Sequence, residues 1–199
     1  MTPSARSIGG KWWLVTWTTY GTWLPGDPRG FQTRAGREYI PPPARYARPG
    51  EAAYVSGAYA GRYRHAQAVT AAPARMNAAE CRGALDVILR EIEHLPIEPC
   101  ALAVGPTHVH LLARFGAVKI RPTIARLKSA ATRALAGFGQ GKRLWCRGCH
   151  SKSLPDEVAL RRALDYVCRH VSQDAVLHVW RGGGEAGRNQ SPAQGPGLG

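Results

Sequence analysis

Apolar positions along this chain form short periodic runs, and the runs change period from one to the next. Residues 12–20 are dense in aromatic and β-branched side chains, the composition of a strand with neighbours on both sides. Residues 77–95 carry Cys81, Leu85, Ile88, Ile92 and Leu95 at helical spacing, so one face should pack on a sheet. Asn77 and Glu80 stand at the spacing of a capping box, and Pro96 and Pro99 end the helix. Residues 100–104 and 108–115 read as two strands about a Gly105-Pro106-Thr107 turn, or as one long bent strand. A second helix is predicted over 121–135, with Ile120, Ile124, Leu127, Ala131 and Leu135 as its apolar stripe. A strand over 144–154 with Trp145 buried, a helix opened by Ser153-Leu154-Pro155-Asp156 and reaching about Val171, and a short strand over 176–180 complete the order. Strands and helices in this order suit an α+β fold, one antiparallel sheet with helices packed on one face.

Two stretches break the pattern. Residues 28–75 hold Pro41-Pro42-Pro43, Pro49-Gly50 and Gly57, and eight Arg face two Glu with five tyrosines interleaved. They read as an irregular surface excursion, or as a basic arm in which Arg meets phosphates and Tyr stacks on unpaired bases. Gly, Pro, Ser and Gln dominate 181–199, the composition of a disordered tail. The expected organisation is a single domain over 12–180, with the insertion at about 28–75 and the tail at 181–199.

Charge narrows the class of partner. Lys and Arg number 27 against 13 acids, a formal charge of +14, which draws polyanions, nucleic acid foremost. No transmembrane run and no long basic amphipathic helix favours a membrane. No apolar signal core follows the N-terminus, and the five cysteines are odd in number and scattered, so cytoplasmic residence with reduced thiols is expected.

The candidate chemistry begins with His108-Val109-His110. On a strand, residues two apart share a face, so two imidazoles would aim at one point while Val109 and Leu111 face the core. The pair is either a partly buried, satisfied structural couple or two ligands of a divalent ion. On the last helix Ala159, Ala163, Tyr166 and His170 form one stripe, beside a second stripe of Leu160, Leu164, Val167 and Val171 that can be core. Tyr166 is then a rim tyrosine, or a phenol held beside a metal as a nucleophile. His170 could complete the coordination, and Gln173, one turn on, is a weaker candidate.

These residues resemble the HUH single-tyrosine transposases, including the REP-associated tyrosine transposase-like proteins. The resemblance rests on His108-Val109-His110, a later helix bearing Asp165-Tyr166-Val167, the segment 14–27, Leu127-Lys128-Ser129, and Leu144-Trp145 with Arg147-Gly148, and it spans roughly 12–170. It implies a ferredoxin-like fold, a magnesium or manganese site, and cleavage and rejoining of single-stranded DNA through a covalent 5'-phosphotyrosine. It makes His108 and His110 metal ligands and Tyr166 the nucleophile, with hairpin-bearing DNA as substrate in the nucleoid. Relatives often place Gln or Asn where this chain has His170, and three imidazoles would favour borderline ions over magnesium. Arg121, Arg126, Lys128 and Arg133 on the second helix, with Arg62 and Arg64 in the arm, are the expected DNA contacts. Whether Tyr166 serves its own chain's histidines or those of a homodimer partner stays open.

Cys146-Arg147-Gly148-Cys149-His150 also matches the attachment pattern of c-type haem, or half of a zinc site, but no second such pair occurs. Two ordinary thiols near a strand are the plainer reading. An inert DNA- or RNA-binding module descended from such an enzyme is the alternative to catalysis.

Overall fold

The computed structural model describes residues 9–32, 39–40, 59–135 and 143–180. Its elements in chain order are β1 (Trp12–Thr18), β2 (Phe31–Gln32), β3 (Tyr39–Ile40), α1 (Ala60–Val69), α2 (Ala78–Glu93), β4 (Glu98–Val104), β5 (His108–Arg114), α3 (Ile120–Ala134), β6 (His150–Leu154), α4 (Glu157–Arg169), a 3-10 turn (His170–Gln173) and β7 (Val176–Val179). The main sheet runs β6-β1-β5-β4-β7, every pair antiparallel. Helix α2 carries the chain from β1 to β4 across β5, and α3 carries it from β5 to β6 across β1. These are two interlocked split β-α-β units, the ferredoxin-like arrangement.

Alternation along the strands divides the molecule into two cores. Val15, Trp17, Leu102, Val104, Val109, Leu111 and Ala113 face one way and meet Cys81, Leu85, Ile88 and Ile92 of α2 and Ile124, Leu127 and Ala131 of α3. Cys100, Ala101, Ala103, Leu112 and Leu154 face the other way and meet Ala163 and Val167 of α4. Two helices thus share one face as the pattern predicts, while α4 crosses the opposite face. Alanines at 101, 103 and 163 leave no bulk to hold that helix off the sheet.

Local chemistry sets the helix starts. Asn77 Oδ1 accepts from the Glu80 amide at 2.9 Å, and Glu80 Oε2 accepts from the Asn77 amide at 2.7 Å, a complete capping box. Asp156 Oδ1 accepts from the Ala159 amide at 2.7 Å and opens α4. Pro122 lies in the first turn of α3, where an amide proton would have no intrahelical acceptor. Arg126 Nε donates to Glu91 Oε2 at 2.8 Å and ties α3 to α2.

Three expectations meet a different structure. The stretch 28–75 holds a short β2–β3 pair and the ten-residue helix α1. That helix buries only Ala60 and Ala66, so no apolar stripe announces it. The strand predicted over 144–154 shrinks to β6. Trp145 makes a single bridge to Thr19, Gly148 adopts φ +71°, and Lys128 Nζ donates to the carbonyls of Cys146 and Gly148, turning the chain before β6 begins. Val171, expected in the core stripe, is exposed, because α4 tightens to 3-10 geometry at His170 and the helical phase ends there. The tail expected over 181–199 lies outside the described residues. Among the described residues no helix is long and apolar enough to cross a membrane.

Replacing Asn77 with Ala should cost about 1 kcal/mol of folding stability through the lost cap. Ile88→Ala, at a fully buried site, should cost about 2–5 kcal/mol through the cavity it leaves. Urea unfolding followed by circular dichroism checks both, and equal effects would contradict this account of the core.

Candidate active site

The site forms where β5 passes under α4. The pleat that sends Val109 and Leu111 into the α2–α3 core turns His108 and His110 toward the opposite face. Strand β1 pairs alongside in the register Thr16↔His110 and Thr18↔His108. The last turn of α4 then brings Tyr166 and His170 over the pair. The His110 ring lies 4.3 Å from that of His170 and 5.2 Å from that of Tyr166, centroid to centroid. His108 lies 4.8 Å from His110 and 5.1 Å from His170.

Each imidazole is oriented by a hydrogen bond at Nδ1. His170 Nδ1 donates to the Tyr166 carbonyl at 2.9 Å, which leaves its Nε2 as a lone pair. Thr16 Oγ1 lies 2.8 Å from His110 Nδ1, and Thr107 Oγ1 lies 3.1 Å from His108 Nδ1. A hydroxyl both donates and accepts, so either tautomer is served. His110 Nε2 and His170 Nε2 face one another at 3.1 Å. Two imidazole nitrogens at right angles on one ion, each about 2.1 Å from it, would stand about 3.0 Å apart. The three side chains each offer a ligating nitrogen within 4.8 Å of the others, so they could hold a metal ion.

The electrostatics favour the ligating form. Burial, reinforced by the charge of His170 and Arg29, lowers His108 to about 4. Deeper burial, with His108 and His170 beside it, lowers His110 to about 2. Both are therefore neutral at pH 7, as a metal ligand must be. Tyr166 is raised by burial, with Arg169 opposing. Its phenol is fully protonated at neutral pH.

All four residues, together with Gln173, line one open cleft of about 610 Å³. Arg29 and Lys152 border it too, and among the described residues no carboxylate does. Among the described residues the three histidines are the one cluster of three or more His, Cys, Asp or Glu able to share an ion. Cys146 and Cys149 are free thiols and, among the described residues, belong to no such cluster.

The basic residues fall elsewhere. Helix α3 lies on the far side of the sheet from the cleft. Arg121, Lys128 and Arg133 border a separate cavity of about 690 Å³ beside Trp145. Lys128 holds the 146–148 turn through two carbonyls, and its desolvated ammonium is lowered in pKa by burial. Arg126 is paired with Glu91. Arg62 and Arg64 are exposed on α1 and do not border the cleft. Sequence reasoning missed Thr16, Trp23, Arg29 and Lys152. Thr16 was findable only through the β1–β5 register. Arg29 depends on Asp27, two residues earlier, whose carboxylate grips it at 2.9 and 2.6 Å.

No family model matches the chain, and no curated protein does. Among solved structures, a REP-associated tyrosine transposase bound to a REP hairpin is similar in shape, with a TM-score of 0.43 and 16% sequence identity over 87% of this chain and 74% of that one. A likeness of that degree carries neither the fold nor the chemistry of this chain, which rest on its own strand order and side chains.

Titration with manganese or zinc followed calorimetrically should show one site per chain, lost in His110→Ala. Thr16→Val removes only the hydroxyl behind His110 and should weaken affinity roughly 10- to 100-fold. Unchanged binding in His110→Ala would remove the triad as a metal site.

Proposed function

We propose that this chain is a metal-dependent single-stranded DNA endonuclease and strand transferase of the transposase type, with Tyr166 as its nucleophile and His108, His110 and His170 as its metal ligands. The convergence of three imidazoles and one phenol in a single cleft, all from one chain, carries the proposal. The resemblance of residues 12–170 to the HUH single-tyrosine transposases supports it and names hairpin-bearing DNA as the substrate class.

The chemistry follows from the groups in the cleft. The Tyr166 oxygen attacks phosphorus in line with the bond to the 3' oxygen. The new bond is tyrosyl O–P and the broken bond is P–O3', so the 5' end stays on the protein and a 3'-hydroxyl leaves. The phenolic proton passes to solvent and the departing oxygen takes one back. Phosphodiester energy is kept in the adduct, and attack by a 3'-hydroxyl reverses the step to join strands. A divalent ion, manganese or magnesium, would polarise a phosphoryl oxygen and offset its developing charge. Arg29 and Lys152 add fixed positive charge along the strand's path. Tyr166 is 41% exposed, enough for a phosphate to reach it, yet its ring is seated 4.7 Å from that of His170. That seating supplies orientation, a large part of what such an attack needs.

Incubation with hairpin-bearing single-stranded DNA and manganese should give a denaturation-resistant protein–DNA adduct, absent with a chelator and absent in Tyr166→Phe. An adduct that survives in Tyr166→Phe overturns the assignment of the nucleophile. Tight, salt-sensitive binding with no adduct on any hairpin substrate identifies an inert binding module instead.

A further inference from the structure

The loop 21–31 beside the cleft is built around one exposed tryptophan. Trp23 is 40% exposed, yet it is fixed at its edge and on one face. Its indole Nε1 donates to the Gly30 carbonyl at 2.5 Å. The guanidinium of Arg29 sits over the ring, 4.8 Å from its centroid. Arg29 is itself held by buried Asp27 through two hydrogen bonds and by the Thr22 carbonyl at 2.9 Å. Gly26, at φ +86°, lets the loop press against the start of α1, where a Cβ would come within 2.7 Å of the Tyr59 carbonyl. These contacts hold a large flat apolar ring in place while two fifths of it stays open to solvent.

Trp23 is a wall common to two spaces. One is the cleft that holds the histidines and Tyr166. The other is a smaller hollow of about 180 Å³, bordered by Pro25, Phe31, Trp17 and Arg147. Arg29 borders the cleft and is not among the residues bordering the hollow. The hollow has the volume of about six waters, room for one planar ring system. A nucleobase offers a π-face for Trp23.

We propose that Trp23 is a base-stacking platform that receives one unpaired nucleobase next to the phosphate held in the cleft. This rests on the strand-transfer reading for the phosphate's identity. The stacking itself needs only single-stranded DNA. With Trp23 and the histidines bordering one cleft, a seated base sets which phosphodiester faces Tyr166. Trp23 is therefore a positioning residue, and it selects the site of cleavage through the fit of one nucleotide.

The test uses the full chain, a chelator so that no cleavage occurs, and a fluorescent hairpin with an oligothymidine flank, read by anisotropy. Trp23→Ala should weaken binding roughly 5- to 100-fold, the range of one lost base stack. Trp23→Phe, which keeps a ring and loses the bond to Gly30, should stay within a few-fold of the parent. An abasic residue walked along the flank should weaken the parent at one position and change nothing further there in Trp23→Ala. Unaltered affinity in Trp23→Ala, or an abasic penalty equal in parent and variant at every position, overturns the platform. Because binding is read without metal, a chain that forms no adduct can still pass, and a chain that forms one can still fail.

Discussion

The pleat of one seven-residue strand governs this molecule. On β5, side chains at odd positions enter the main core and those at even positions turn to the opposite face. Val109 and Leu111 are fully buried under α2 and α3, and that burial fixes the register of the strand. A slip of one residue would put two imidazoles into packed hydrocarbon and two aliphatic groups under α4. The cost of that exchange, several kcal/mol of lost apolar burial and unpaired polar groups, locks the histidines in place more firmly than any bond they make themselves.

The second face owes its form to small side chains. Ala101, Ala103 and Ala163 let α4 settle close to the sheet, and the close approach brings its last turn over the histidines. Larger residues there would lift the helix and part the rings. The site is therefore a joint product of two cores. One sets where the strand histidines point, and the other sets how near Tyr166 and His170 come. Thr16 joins them, since β1 belongs to the same sheet and its hydroxyl fixes His110 across the register.

What could be read from the chain alone follows the range of the interactions. The capping box at Asn77, the stripe of α2 and the shared face of His108 and His110 are local, and spacing exposes them. The ferredoxin-like order was legible only through resemblance, because strand pairing joins residues such as Thr16 and His110 that lie far apart in sequence. Helix α1 was illegible, since its Arg, Tyr and Gln residues show no apolar face and it leans on the rest through two alanines and a tight loop. The basic stripe of α3 was legible as charge, yet Lys128 and Arg126 turn out to bind carbonyls and a carboxylate of their own chain. Charge in a sequence does not say whether a partner already sits within the fold. The platform at Trp23 was invisible for the opposite reason. Its contacts lie within eight residues, but nothing in their spacing says that the ring stays open to water.

Tyr166 stands in the last turn of α4 and His170 opens the 3-10 turn that follows it, and the imidazole of the second is bonded to the peptide carbonyl of the first. They travel as one rigid body. In the proposed strand transfer, a strand anchored to that tyrosine could not be carried elsewhere on a swinging arm without dismantling the histidine cluster in the same stroke. On that proposal the exchange of ends happens in place: the anchored DNA would wait at a stationary post, and the incoming strand would have to find its way there.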